Sequence, residues 1–249
     1  MNDNHISIVI STRNASDFIE KSLDSAISQD YQNYSIIFLD AQSTDDTFQK
    51  AKKYEDKFED IKILRNDKRK YQGENIRIGT EMSRPNSIIV TLDGDDWLPH
   101  EKVLSRVNKE YVDHDCWMTY GLYEEYPYRN ISKHYFEFPD YIKKVNGFRK
   151  YKWLATHLRT FRRELFLKIK KEDLIDPETN DFFENACDAS FQFPMLEMCG
   201  MTKSRFIPDV LYVYNKENEE SDYLKDQGVV KRIMNYICSQ NPYPALTSL

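Results

Sequence analysis

The chain has 249 residues, with 35 Lys and Arg against 41 Asp and Glu, for a net charge of −6. That acidic balance argues against a nucleic-acid binder, which needs a basic surface to displace counterions. Its seven glycines stand apart and form neither a GxGxxG turn nor a Walker loop, so the common dinucleotide and P-loop routes are excluded.

Ile6 to Ile10 is a β-branched run that predicts a buried strand. Asp17 and Glu20 have the spacing of a capping box, and Phe18, Ile19, Leu23, Ala26 and Ile27 follow at helical intervals. Ile36 to Leu39 predicts a second strand. Ser43 and Asp46 repeat the capping spacing before a helical face of Phe48, Ala51, Tyr54 and Phe58. Ile61 to Leu64 reads as a third strand, and a polar loop from Arg65 to Gln72 leads into a helix over Glu74 to Met82. Ser87 to Leu92 predicts a fourth strand ending in Asp93-Gly94-Asp95-Asp96. A helix carrying Val103, Leu104, Val107 and Tyr111 and a strand from Cys116 to Tyr120 follow.

Continuous apolar strands alternating with amphipathic helices predict an α/β fold with a mostly parallel sheet covered on both faces. Right-handed crossovers put the strand C-termini along one edge, where such sheets bind ligands. Asp40 stands there after the second strand, and Asp93, Asp95 and Asp96 after the fourth.

Beyond residue 121 the periodicity fades. The stretch to Gly147 is rich in Tyr, Phe, Lys and Pro, a long irregular segment of the kind that forms binding loops. Arg163 to Ile169 predicts a short helix, Ala189 to Met198 a helix containing Pro194, and Phe206 to Tyr214 an edge strand that tolerates Pro208. Val229 to Ile237 predicts a last helix, with Asn241 to Leu249 loose. Without repeats or a linker, residues 1–249 read as one domain with halves at 1–120 and 121–249.

Cys116, Cys187, Cys199 and Cys238 make no CxxC pair, and the five histidines make no HExxH, so a zinc site is not expected. No apolar run approaches the roughly 20 residues needed to cross a bilayer. The N-terminus lacks the basic-then-apolar pattern of a secretion signal. The expectation is a soluble, cytoplasmic protein, with membrane association through a partner or acceptor left open.

Asp93 and Asp95 flank a glycine at i, i+2, a spacing that can aim two carboxylates at one point. Crowded carboxylates are unfavourable unless a cation neutralises them. Mg²⁺ and Mn²⁺ prefer such oxygens and share their shell with substrate phosphates. A solvated Asp-Gly turn is the alternative.

The segment ISIVISTRN from Ile6 to Asn14 resembles the opening strand VSVIIPTYN of family 2 glycosyltransferases of GT-A fold, with Ser11 where those have proline. IEKSLDSAISQ from Ile19 to Gln29 resembles their first helix. YSIIFLDAQSTDDT from Tyr34 to Thr47 resembles EIIVVDDGSTDGT, and LDGDDW from Leu92 to Trp97 resembles the LDxDD metal motif. These motifs keep the family's order and spacing over about 120 residues.

The resemblance implies a GT-A-like domain, with the first half binding a nucleotide sugar and the second facing the acceptor. It implies a UDP-sugar donor, Mn²⁺ or Mg²⁺, and transfer to the hydroxyl of a glycan, lipid-linked or protein acceptor. Thr12 and Asn14 would wrap the nucleoside and Asp40 contact its base, while Ala41 replaces the second acid of the usual pair. Asp93 would lie near the ribose and metal, with Asp95 ligating the metal and Asp96 beside it.

In place of the family's Arg-Asn pair the chain has Glu74-Asn75. Lys68, Arg69 and Lys70 upstream would then reach for the diphosphate or form a solvated basic loop. Asp188 matches the place of the inverting family's catalytic base; Asp181 and Glu184 are its rivals, and a helix N-cap is the plain alternative. His157 in ATHLRTF would ligate metal, touch acceptor or serve structure alone. Asn215 and Lys216 fall where relatives return a strand to the donor phosphates. The other functional readings are a nucleotidyltransferase and a non-catalytic sugar- or protein-binding module.

Overall fold

The computed structural model describes residues 3–218 and 227–249. Its first half runs β1 (Ile6–Thr12), α1 (Ile19–Ile27), β2 (Tyr34–Asp40), α2 (Thr47–Lys52), β3 (Ile61–Arg65), α3 (Gln72–Met82), β4 (Ile88–Asp93) and α4 (Val103–His114). The second half adds β5 (Met118–Tyr126), β6 (Asn130–Ile131), α5 (Asp140–Lys144), β7 (Thr160–Arg162) and α6 (Arg163–Phe166). It closes with β8 (Ile175–Asp176), β9 (Asp181–Phe182), α7 (Cys187–Cys199), β10 (Ser204–Asn215) and α8 (Gln227–Ser239).

The main sheet has the order β10-β5-β7-β4-β1-β2-β3, with β6 pairing β5. β1 pairs in parallel with β2 and β4, β2 with β3, and β5 with β10. Every residue of β1 and β2 is buried, as their unbroken apolar runs require. Successive residues face opposite cores: Val9 joins the cluster with Phe161 and Phe191, whereas Ile8 and Ile10 join the one with Leu23 and Leu104. Gly79 lets α3 lie close on the sheet, since a Cβ there would come within 2.4 Å of Val9 Cγ1.

Several local expectations are corrected. Asp17 does not cap α1; Phe18 is the N-cap, and Ala15 O accepts from the amides of Phe18 and Ile19. The Ser43–Asp46 box is also absent. Asp45 accepts instead from Thr47 N, Thr47 Oγ1 and Ser16 N, tying the start of α2 to the loop before α1. The helix expected through Phe58 gives way to a 3-10 turn at Lys53–Asp56.

The parallel series is interrupted by β7, which runs antiparallel between β4 and β5. Three residues are too few to leave a periodic trace in the sequence. The expected helix over Arg163 to Ile169 ends at Phe166. The segment 241–249 is docked, not loose: Leu246 N donates to Met198 O and Tyr243 N to Glu197 Oε2. Cys116, Cys187 and Cys199 are free, buried thiols. Among the described residues no helix is long and apolar enough to cross a membrane.

Candidate active site

The ends of β1, β2 and β4 lie side by side, with Thr12 in register with Asp40 and Ser11 with Asp93. Gly94 is required by this packing, because a Cβ on it would sit 2.2 Å from Thr12 Cβ and Oγ1. Ser11 uses its hydroxyl to accept from Asn75 Nδ2 at 3.1 Å, so it fastens α3 to β1. Asn75 is therefore a buried structural residue. Asn14, at φ 51°, accepts from Thr44 N at 2.9 Å while its own amide donates to Ser43 Oγ. The loops after β1 and β2 are thus stitched into one rim.

The acids on this edge differ sharply. Asp40 is fully buried; both oxygens accept from Ser43 N, and Arg65 Nε lies 3.3 Å from Oδ2. Its carboxylate is closed off, so in this structure it shapes the rim from beneath. Asp96 is also buried, accepting from Tyr212 Oη at 2.6 Å and from Asn215 N at 2.7 Å. Burial, together with the charges of Asp95 and Asp93, pushes its carboxyl well above the ordinary range. Asp96 thereby pins β10 to the motif, and Trp97 and Val213 exchange backbone hydrogen bonds beside it.

Asp93 and Asp95 are held by neutral amides. Gln72 Nε2 donates to Asp93 Oδ1, and Asn218 Nδ2 donates to Asp95 Oδ2 at 2.8 Å. Burial and the neighbouring Asp95 push the Asp93 carboxyl up to about 7. The two carboxylates are crowded, with Arg159 a positive charge that acts on Asp93, and their hard oxygen donors suit Mg²⁺ or Mn²⁺. Among the described residues no group of three or more His, Cys, Asp or Glu could hold a metal ion. Two protein carboxylates would therefore need a substrate's phosphates to complete a cation's shell.

Asp188 lies in the first turn of α7 after the N-cap Ala186, and its Oδ1 accepts from the first-turn amide of Ala189 at 2.9 Å. Its Oδ2 accepts from Arg159 Nη2 at 2.6 Å. Arg159 is buried and feels the charges of both Asp188 and Asp93, which raise its pKa against the opposing effect of burial. A second link runs from the Cys187 thiol, which donates to Gln72 Oε1 at 3.2 Å. The first turn of α7 is therefore tied to Asp93 by hydrogen bonds through Gln72 and coupled to it by charge through Arg159. Of the rivals, Asp181 is exposed in the β8–β9 hairpin, where its carboxylate accepts from Phe182 N.

His157 is buried and stacked on Tyr212 with ring centroids 4.3 Å apart. Burial and Arg159 hold its pKa well below the ordinary value, and its Nδ1 has no partner among the described residues. It backs the tyrosine that holds Asp96. Lys68 is exposed, Arg69 lies over the Tyr71 ring at 5.5 Å, and Lys70 pairs with Glu74. Lys216 pairs with Glu125 at 2.5 Å. Asn215 Oδ1 accepts from Glu217 N, while its buried Nδ2 has no partner among the described residues.

Sequence reasoning missed Arg159, Gln72 and Tyr212. Arg159 had a signal: a lone arginine among Leu154, Ala155, Leu158 and Phe161 must have a buried partner. Gln72, at a loop–helix junction, had none.

A mostly parallel sheet flanked by helices, with acids at its strand ends beside a helix N-terminal turn, is the architecture of GT-A-fold glycosyltransferases. The sequence model of glycosyl transferase family 2 matches residues 7–170, and the chain belongs to that family. It is similar to the dolichyl N-acetyl-α-D-glucosaminyl phosphate 3-β-D-2,3-diacetamido-2,3-dideoxy-β-D-glucuronosyltransferase of Methanococcus voltae. The two are 45% identical over 71 residues, 27% of this chain and 22% of that protein.

Two solved structures share the fold. S. aureus TarS residues 1–349 with UDP-GlcNAc superposes with a TM-score of 0.70 at 16% identity, covering 94% of this chain and 65% of that one. The mannosyltransferase PcManGT of Pyrobaculum calidifontis, with GDP-Man and Mn²⁺, gives 0.58 at 17% identity, covering 84% and 56%. The chain thus spans less than two thirds of each of these proteins.

Proposed function

We propose that the chain transfers a sugar from a nucleoside-diphosphate sugar, a UDP-sugar, to an acceptor hydroxyl with inversion. The observation that carries this reading is the link from Asp93 through Gln72 to Cys187 in the first turn of α7, where Asp188 pairs with an arginine whose charge also acts on Asp93. Support for the donor class comes from TarS with UDP-GlcNAc and PcManGT with GDP-Man and Mn²⁺, and a lipid-linked acceptor is in keeping with the dolichyl-named relative.

Asp95 and Asp93 would hold Mn²⁺ or Mg²⁺ between protein and diphosphate; when bound, the cation would offset the charge that builds on the leaving group. The rim of Thr12, Asn14 and Ser43, braced by Asp40 and Arg65, would frame the nucleoside. Asn215 Nδ2 is an available donor beside the acids. Asp188, oriented by Arg159, accepts the proton of the acceptor hydroxyl as its oxygen bonds to the anomeric carbon. The bond from that carbon to the diphosphate breaks, and the nucleoside diphosphate leaves.

The test is hydrolysis of a panel of UDP- and GDP-sugars with Mn²⁺ or EDTA. Mn²⁺-dependent release of UDP from at least one donor is expected. No release from any donor, with no Mn²⁺-dependent nucleotide binding, would leave a non-catalytic module as the better reading.

A further inference from the structure

The irregular segment between β5 and β7 is not used by this chemistry. It is an ordered platform: Phe138 and Phe148 are buried and meet edge-on at 5.1 Å, and Lys143 pairs with Glu137. Its outer side is unusual in two respects.

The first is apolar exposure. Phe136, Tyr141 and Val145 are 38%, 62% and 71% exposed, and Val145 is the most exposed large hydrophobic residue described in the chain. The second is charge. Residues 136–152 carry five basic side chains against Glu137 and Asp140, in a chain whose net charge is −6. Lys143 and Arg149 are consumed by Glu137 and Glu197. Lys144, Lys150 and Lys152 are exposed and form no ion pair among the described residues.

Contacts link several of these groups, and Lys144 and Lys150 neighbour Val145 and Tyr151 in sequence. Lys152 Nζ lies 4.3 Å from the Phe136 ring centre, the rings of Tyr151 and Tyr141 are 6.3 Å apart, and Val145 follows Tyr141 by one turn. A rigid face that mixes unpaired lysines with protruding Tyr, Phe and Val is suited to the headgroup layer of an anionic bilayer. There, aromatic rings settle at the interface and lysines meet lipid phosphates.

We propose that this face docks the protein reversibly on anionic membranes. The inference does not depend on the donor chemistry, and an acidic protein is the competing occupant. The test is co-sedimentation of the whole chain with vesicles of phosphatidylcholine containing phosphatidylglycerol, against pure phosphatidylcholine, at low and high salt.

Binding is expected only to the anionic vesicles and should fall with salt. The variant K144E/K150E/K152E should bind on the order of a hundredfold more weakly, from about 1 kcal/mol per lysine near such a surface. Y141S/V145D should bind at least tenfold more weakly with the lysines intact. All five sites are exposed, so melting temperatures should match wild type. No binding to anionic vesicles, or wild-type binding by both variants, would overturn the proposal. Retention on polyglutamate without vesicle binding would overturn it in favour of an acidic protein.

Discussion

Asp40 ends β2 and Asp93 ends β4, one strand to either side of β1, and their carboxylates meet opposite surroundings. Asp40 is saturated by the Ser43 amide and the Arg65 guanidinium. Asp93 is crowded by Asp95 and receives a neutral amide from Gln72, with the charge of Arg159 acting on it. The contrast separates an acid closed into the rim by its partners from one raised by burial and a like charge. Asp96, held by Tyr212 and the Asn215 amide, falls with Asp40. Asp188 stands between, paired yet partly open, with its side chain 25% exposed.

The largest effect is expected at Asp188. Asp188→Asn keeps the shape and can still hydrogen-bond an acceptor hydroxyl, but cannot take its proton. Turnover should fall about 10²–10⁴-fold, as for loss of a general base, with UDP affinity largely kept and the melting temperature lowered because the buried Arg159 loses its charged partner. Near-normal turnover in single-turnover assays with a true acceptor would move the role elsewhere.

Paired substitutions at Asp40 and Asp93 should behave differently. Asp40→Ala leaves the Ser43 amide without its acceptor and Arg65 without its carboxylate partner, and should cost about 1–3 kcal/mol of stability in urea unfolding. Asp93→Asn removes one of two like charges, so stability should hold or rise while metal-dependent UDP binding weakens. Equal destabilisation by both would erase the distinction drawn here.

A smaller effect belongs to Asp176, which lies outside this cleft. Hydrogen bonds from Arg232 hold its carboxyl below the ordinary value. A depressed folded-state pKa gives stability that is present above the unfolded value, near 3.9, and lost as pH falls below it. The stability gap between wild type and Asp176→Asn should therefore shrink as pH drops from 5 towards 2.

Much of the fold was legible because β1, β2 and β4 are continuous apolar runs and the helices between them keep their period. β7 was not, since three residues take their place from the strands on either side. The acids were legible as a motif, but their surroundings were not. Nothing in Asp-Gly-Asp-Asp tells that its last member turns inward to Tyr212, a residue 116 positions away. Arg159 and Gln72 act through partners distant in sequence, and only the folded sheet brings them together.

In the proposed mechanism Asp95 and Asp93 bind a divalent cation together with a nucleoside diphosphate. Calorimetric titration of UDP into wild type and Asp95→Asn, each with Mn²⁺ and with EDTA, tests it. Wild type should bind at least tenfold more tightly with Mn²⁺, and Asp95→Asn should show no such gain while melting normally. An undiminished Mn²⁺ effect in the mutant, or none in wild type, would contradict the account.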